Sequence, residues 1–96
     1  MTVVRFRRAD GVPFRTVDDE VLLAPQGSDA FESLTGTAAV VWLLLDRTRT
    51  LPELTRELAV RYRAPRGKIG RDVRALMETL MAMGCVVEVA VDETAV

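Results

Sequence analysis

The stretch Leu34-Thr35-Gly36-Thr37-Ala38-Ala39-Val40-Val41-Trp42-Leu43-Leu44-Leu45 is apolar at every position after Thr37. A helix that is apolar all round leaves no face for water, so it must be surrounded by protein. The segment therefore reads as the central helix of a core. It falls well short of the ~20 apolar residues that a bilayer crossing needs. Thr35 or Thr37 can cap its start, and Asp46 ends the apolar run. Trp42 offers the largest packing surface, with an indole N–H that needs a partner if buried.

Upstream of this helix the residues favour strands. Val4 and Phe6, then Val12 and Phe14, alternate with Arg5, Arg7, Pro13 and Arg15, and Asp10-Gly11 between them is a hairpin turn signal. Two antiparallel strands are expected there. A second turn at Asp18-Asp19 leads into Glu20-Val21-Leu22-Leu23, a third strand ended by Pro25. The polar segment Pro25 to Ser33 reads as a connection anchored to the core by Phe31 and Leu34.

Downstream, Thr50-Leu51-Pro52-Glu53 combines an N-cap threonine, a glutamate three residues on and a first-turn proline. The helix they start buries Leu51, Leu54, Leu58 and Tyr62. Ala64 to Gly67 breaks it, and a third helix spans Lys68 to Met83 with Gly84 as its cap. On that helix Ile69, Val73, Leu76, Leu80 and Met83 form the core stripe. Gly70, Arg74, Met77 and Met81 lie on an adjacent flank about 80° to 140° round from Ile69. This flank is more apolar than a solvated face should be. Cys85 to Val91 is a valine-rich strand, and residues 92–96 form a tail expected to fray. The pattern is α+β: three N-terminal antiparallel strands, three helices and a short C-terminal strand, a winged helix-turn-helix architecture filling residues 1–91 as one domain.

The 96 residues suffice for one modest core. Thirteen basic against fourteen acidic residues give a net charge of −1, which argues against a protein held to nucleic acid by bulk charge. The distribution is uneven, because Arg61, Arg63, Arg66, Lys68, Arg71 and Arg74 face only Asp72 between residues 61 and 74. Were the third helix to enter a major groove these would be its contacts, yet Arg71 and Arg74 fall on different faces.

The chain has no histidine and one cysteine, which removes the usual zinc sites and the Ser-His and Cys-His arrangements. Asp18, Asp19 and Glu20 read as a solvated turn, and Gly67 and Gly70 around Lys68 do not make a phosphate loop. Neither a cofactor nor catalysis by the chain itself is expected. Cys85 reads as a buried thiol, and Asp72 as a first-turn acid favouring the third helix's dipole. A single cysteine and the absence of a secretory signal point to a reducing cytoplasm.

The run Leu34 to Asp46, then Arg49-Thr50-Leu51-Pro52-Glu53-Leu54, then Asp72-Val73 and Leu80 to Val86, resembles the PqqD-like family of peptide-binding domains, also called RiPP recognition elements. The family often has asparagine where this chain has Thr35, and glycine where it has Arg47. The resemblance implies binding of the leader segment of a ribosomally made precursor peptide and its presentation to a processing enzyme. It implies that the leader adds as a strand to the edge of the third strand, here Glu20, Val21, Leu22, Leu23 and Ala24. The guest would then lie in a groove against the third helix, here Ile69, Gly70, Val73, Arg74, Met77 and Met81. A free-standing form suits lasso-peptide biosynthesis, with a leader peptidase as partner, and also the pyrroloquinoline quinone pathway, with a radical enzyme. Winged-helix DNA binding is the contrasting alternative, and no membrane association is expected. The molecule is expected as a monomer, or as a dimer exchanging the first hairpin to cover the Val4 and Phe6 face.

Overall fold

The computed structural model describes residues 2–25 and 27–92. In chain order it contains β1 (Thr2–Arg8), β2 (Phe14–Val17), β3 (Glu20–Leu23), β4 (Glu32–Leu34), α1 (Gly36–Leu44), α2 (Leu51–Tyr62), α3 (Arg66–Ala82) and β5 (Val86–Asp92). The expected mixture of strands and three helices is present, with four strands rather than three before α1. The additional one, β4, occupies part of the segment read as a connection. Its composition hid it, since Glu32-Ser33-Leu34 lacks β-branched residues and is too short to alternate visibly.

The strands form two sheets, β1-β5 and β2-β3-β4. The expected hairpin of β1 with β2 does not form. Asp10-Gly11 does turn, with Gly11 at φ 75°, but β1 pairs along its whole length with β5, from Thr2 opposite Asp92 to Arg8 opposite Val86. Four valines in the last strand offer β1 a more apolar partner than the short, exposed β2. Phe6 is consequently covered within the same chain, and its N–H donates to the Arg49 carbonyl at 2.7 Å. Of the tail at 92–96, only Asp92, in β5, falls within the described residues.

Helix α1 contributes to the core as its sequence predicts, but it is not surrounded on every side and packs chiefly against β3 and α2. Ala39, Val41 and Trp42 are buried, whereas Leu43 is 44% exposed. Thr35 stands at the N-cap without a side-chain hydrogen bond. The C-terminal carbonyls are answered from elsewhere. Arg8 donates from Nε and Nη2 to the Trp42 carbonyl at 3.1 and 2.7 Å, and Arg49 donates to the Leu44 carbonyl. The Arg8 guanidinium also lies over the rings of Phe14, at 4.6 Å, and Trp42, at 5.0 Å. Trp42 is fully buried, yet its Nε1–H has no protein partner among the described residues.

In α2 the capping box is complete. Thr50 Oγ1 accepts from the Glu53 N–H, and Glu53 Oε1 accepts from the Thr50 N–H, both at 3.2 Å. Leu54 and Leu58 are buried, but Tyr62 is 45% exposed and does not complete the stripe. Helix α3 starts at Arg66, earlier than expected, because Pro65 serves as its N-cap. Asp72 therefore lies beyond the first turn, outside the range where the helix dipole acts strongly. At the other end Gly84, at φ 74°, closes the helix, with the Cys85 N–H reaching the Leu80 carbonyl at 2.9 Å. Phe31, read as a core anchor, is instead 73% exposed, whereas Leu34 is buried.

Candidate functional site

Strand β3 is the middle of its sheet. Val21, Leu22 and Leu23 pair with Thr16, Arg15 and Phe14 of β2 on one side, and with Leu34, Ser33 and Glu32 of β4 on the other. The main chain of Glu20–Leu23 thus has no open edge, and the Ala24 N–H is taken by the Pro13 carbonyl at 3.0 Å. The expected free edge at the third strand is corrected. The strand that ends the sheet next to the helices is β4, and it has no strand on its outer side among the described residues.

Ladder geometry identifies which groups that edge presents. The β2-β3 hairpin closes through the two-residue turn Asp18-Asp19, with Asp18 at φ 55°, so Val17 and Glu20 are its closing hydrogen-bonded pair. Alternation makes Arg15 and Leu22 the next such pair, and turns the N–H and C=O of Val21 and Leu23 toward β4. There they meet Leu34 and Glu32. Ser33, opposite Leu22, points its N–H and C=O outward, while its hydroxyl donates to Glu20 across the sheet.

Two proximities place this edge relative to α3. Glu32, at the start of β4, lies near Cys85, just past the C-terminal end of α3. Burial pushes the Cys85 thiol pKa up, and the Glu32 carboxylate adds to that rise. Beyond the other end of β4, Thr37 shares a depression of about 160 Å³ with Lys68, Ile69, Asp72 and Val73 of α3. Glu32 thus lies toward the C-terminal end of α3, and Thr37, three residues past β4, toward its N-terminal turns. The flank of α3 on this side carries Leu76, Met83, Asp72 and Thr79, about 20° to 80° from Ile69 in the direction opposite to Gly70. Leu76 and Met83 are half-buried; Asp72 and Thr79 are exposed.

The flank singled out by sequence looks elsewhere. A Cβ on Gly70 would meet Thr55 Oγ1 of α2 at 3.7 Å. Arg74 borders a depression shared with Thr2, Val4 and Phe6 of β1. Met77 is fully buried, and Met81 is half-buried against the core. Ile69 and Val73 are buried on the core stripe. The eleven residues read as one groove therefore divide between the middle of a sheet, the core and the α2 side of α3. Hydrophobic periodicity alone does not tell which flank of an amphipathic helix, the Gly70 side or the Leu76 side, faces a sheet.

The model for the family described as coenzyme PQQ synthesis protein D (PqqD) matches residues 20–86, most of the chain. The chain belongs to the PqqD family. Among solved structures, this PqqD-family chain is similar to TbiB1 in complex with the TbiA(beta) leader peptide. That likeness has a TM-score of 0.77 and 22% identity, covering 83% of this chain and 93% of that one. It is also similar to the PqqD truncation of Methylobacterium extorquens PqqCD, described as a functional and stand-alone RiPP recognition element. There the TM-score is 0.71 at 20% identity, covering 86% of this chain and 88% of that one. No curated protein matches it significantly by sequence. At these identities the likeness establishes a shared fold. Among the described residues there is no cluster of three or more histidine, cysteine or acidic side chains able to hold a metal ion, and no helix long and apolar enough to cross a membrane.

Proposed function

We propose that this family member is a non-catalytic recognition domain that binds the leader segment of a ribosomally made precursor peptide as an added strand on β4. The observation that carries the reading is the outward N–H and C=O of Ser33 at an open sheet edge. An added strand gains affinity from main-chain hydrogen bonds and specificity from pockets that take alternate side chains. Side chains of the guest on the inner face would meet Leu76 and Met83; those on the outer face would meet Leu22 and Phe31, which border an apolar depression of about 470 Å³. TbiB1, solved with a leader peptide bound, supports the reading by analogy of fold.

The partner that receives the bound leader is, in this reading, a cytoplasmic leader peptidase of lasso-peptide biosynthesis, with a radical enzyme of pyrroloquinoline quinone biosynthesis as the alternative. The 15N-labelled chain titrated with a precursor leader peptide tests the mode. Amide shifts should concentrate at Glu32–Leu34 and along Asp72, Leu76 and Thr79. Shifts confined to Thr16 and its neighbours on β2 would move the site to the opposite edge. Salt-sensitive binding of duplex DNA through Arg66, Lys68 and Arg71 would replace the reading with a nucleic-acid one.

A further inference from the structure

A second surface lies on the other side of α3. Between the first turns of α2 and α3 is a cleft of about 450 Å³ bordered by Leu51, Pro52, Thr55, Arg66, Arg71 and Arg74. None of these three guanidiniums has a hydrogen bond or ion pair among the described residues. The cleft shares Leu51, Pro52 and Arg74 with a neighbouring depression of about 630 Å³ that reaches Val3, Val4 and Phe6 of β1. The arginines thus border the first depression and apolar side chains of β1 the second, joined into one track at Leu51, Pro52 and Arg74.

The glycines of α3 keep this track open. Gly67 and Gly70 both fall within its first five residues, where glycine weakens a helix relative to alanine. Packing does not demand them: a Cβ at Gly67 would come no closer than 4.0 Å to Arg71 Nη1, and one at Gly70 would meet Thr55 Oγ1 at 3.7 Å. Both positions border the cleft, so a side chain there would occupy its floor.

We propose that this track is a docking site for an extended segment of a partner protein that combines carboxylates with apolar side chains. Guanidinium forks pair carboxylates in two-point geometry, and unpaired arginines at a rim steer an oppositely charged partner. A nucleic-acid backbone fits less well. The second depression is bordered mainly by apolar Val3, Val4, Phe6, Leu51 and Pro52, with Glu88 at its edge, so it suits the partner's apolar side chains while the arginine end takes its carboxylates, a division that a uniformly charged phosphate backbone cannot match. Because β4 lies on the opposite flank of α3, this partner and a peptide on β4 can be held together. The proposal does not depend on the β4 reading.

The test uses a short blocked peptide alternating glutamate and leucine, its lysine-leucine counterpart and duplex DNA, each titrated into the 15N-labelled full chain. The glutamate peptide should shift the amides of Thr55, Gly67 and Gly70 saturably. Arg71→Glu should weaken that binding by about tenfold or more, and Gly67→Leu, which favours helix while filling the floor, should abolish it. Both variants should retain the leader affinity of the parent. The proposal is overturned if these amides do not move, if the lysine peptide shifts them equally, if duplex DNA shifts them more strongly, or if Gly67→Leu binds unchanged.

Discussion

Val21 of β3 stands opposite Leu34 of β4 in an antiparallel ladder, both side chains buried against the core. This pairing displaces the open edge of the sheet by one strand, from Glu20–Leu23 to Glu32–Leu34. In the proposed mode an added strand on β4 would meet the flank of α3 bearing Leu76 and Met83.

The two flanks of α3 separate by mutation. Met77→Ala removes a fully buried side chain and should destabilise the fold by about 2–5 kcal/mol, read by chemical denaturation. Leu76→Ala, on the half-buried β4 side, should cost less stability and more leader affinity. An equal loss of affinity from Arg74→Ala, with Leu76→Ala silent, would return the site to the flank first read from sequence.

Arg8 joins the end of α1 to both sheets. Its two hydrogen bonds to the Trp42 carbonyl and its place over the Phe14 and Trp42 rings predict that Arg8→Ala destabilises by about 1–2 kcal/mol. Arg8→Lys should recover only part of this, since an ammonium supplies neither the planar fork nor the stacking. Denaturant midpoints of the three proteins check the order.

Much of this architecture was legible because the signals were local. The capping box at Thr50 and Glu53, the glycine closing α3 and the turn at Asp18-Asp19 each depend on a few adjacent residues, and each formed as read. Long-range choices were not legible. That β1 prefers β5 to β2 depends on residues some eighty positions apart, and Glu32-Ser33-Leu34 becomes a strand only because β3 offers it a ladder. The open edge was misplaced for the same reason: openness belongs to the sheet, not to any one strand.

The capping box has a pH signature. Burial alone would raise the Glu53 pKa, but hydrogen bonds from Thr50 and the charges of Arg5 and Arg49 prevail and hold it below its ordinary value of 4.5. A lowered folded-state pKa contributes stability above 4.5 that is lost as pH falls through the lower folded value. Wild type should therefore exceed Glu53→Gln in stability at neutral pH, and the gap should narrow in acid. A gap constant from neutral to acid pH would contradict this.

Cys85 carries the opposite sign. Burial, reinforced by Glu32, raises its pKa above the ordinary 9.0, so its contribution to stability is intact below that value and is lost as pH rises through the folded one. At neutral pH a thiol reagent should label Cys85 only at the rate of unfolding, and quickly in denaturant. Fast labelling of the native protein would show the thiol to be open and ionised.

The most direct test is the leader affinity of Ser33→Pro. Proline removes one outward N–H from the open edge, together with the exposed hydroxyl bond to Glu20, and leaves the β3-β4 main-chain hydrogen bonds of Leu34 and Glu32 in place. The account predicts a folded variant with near-parental thermal stability that binds the leader at least about tenfold more weakly. A folded Ser33→Pro protein that binds the leader as tightly as its parent would contradict strand addition at β4.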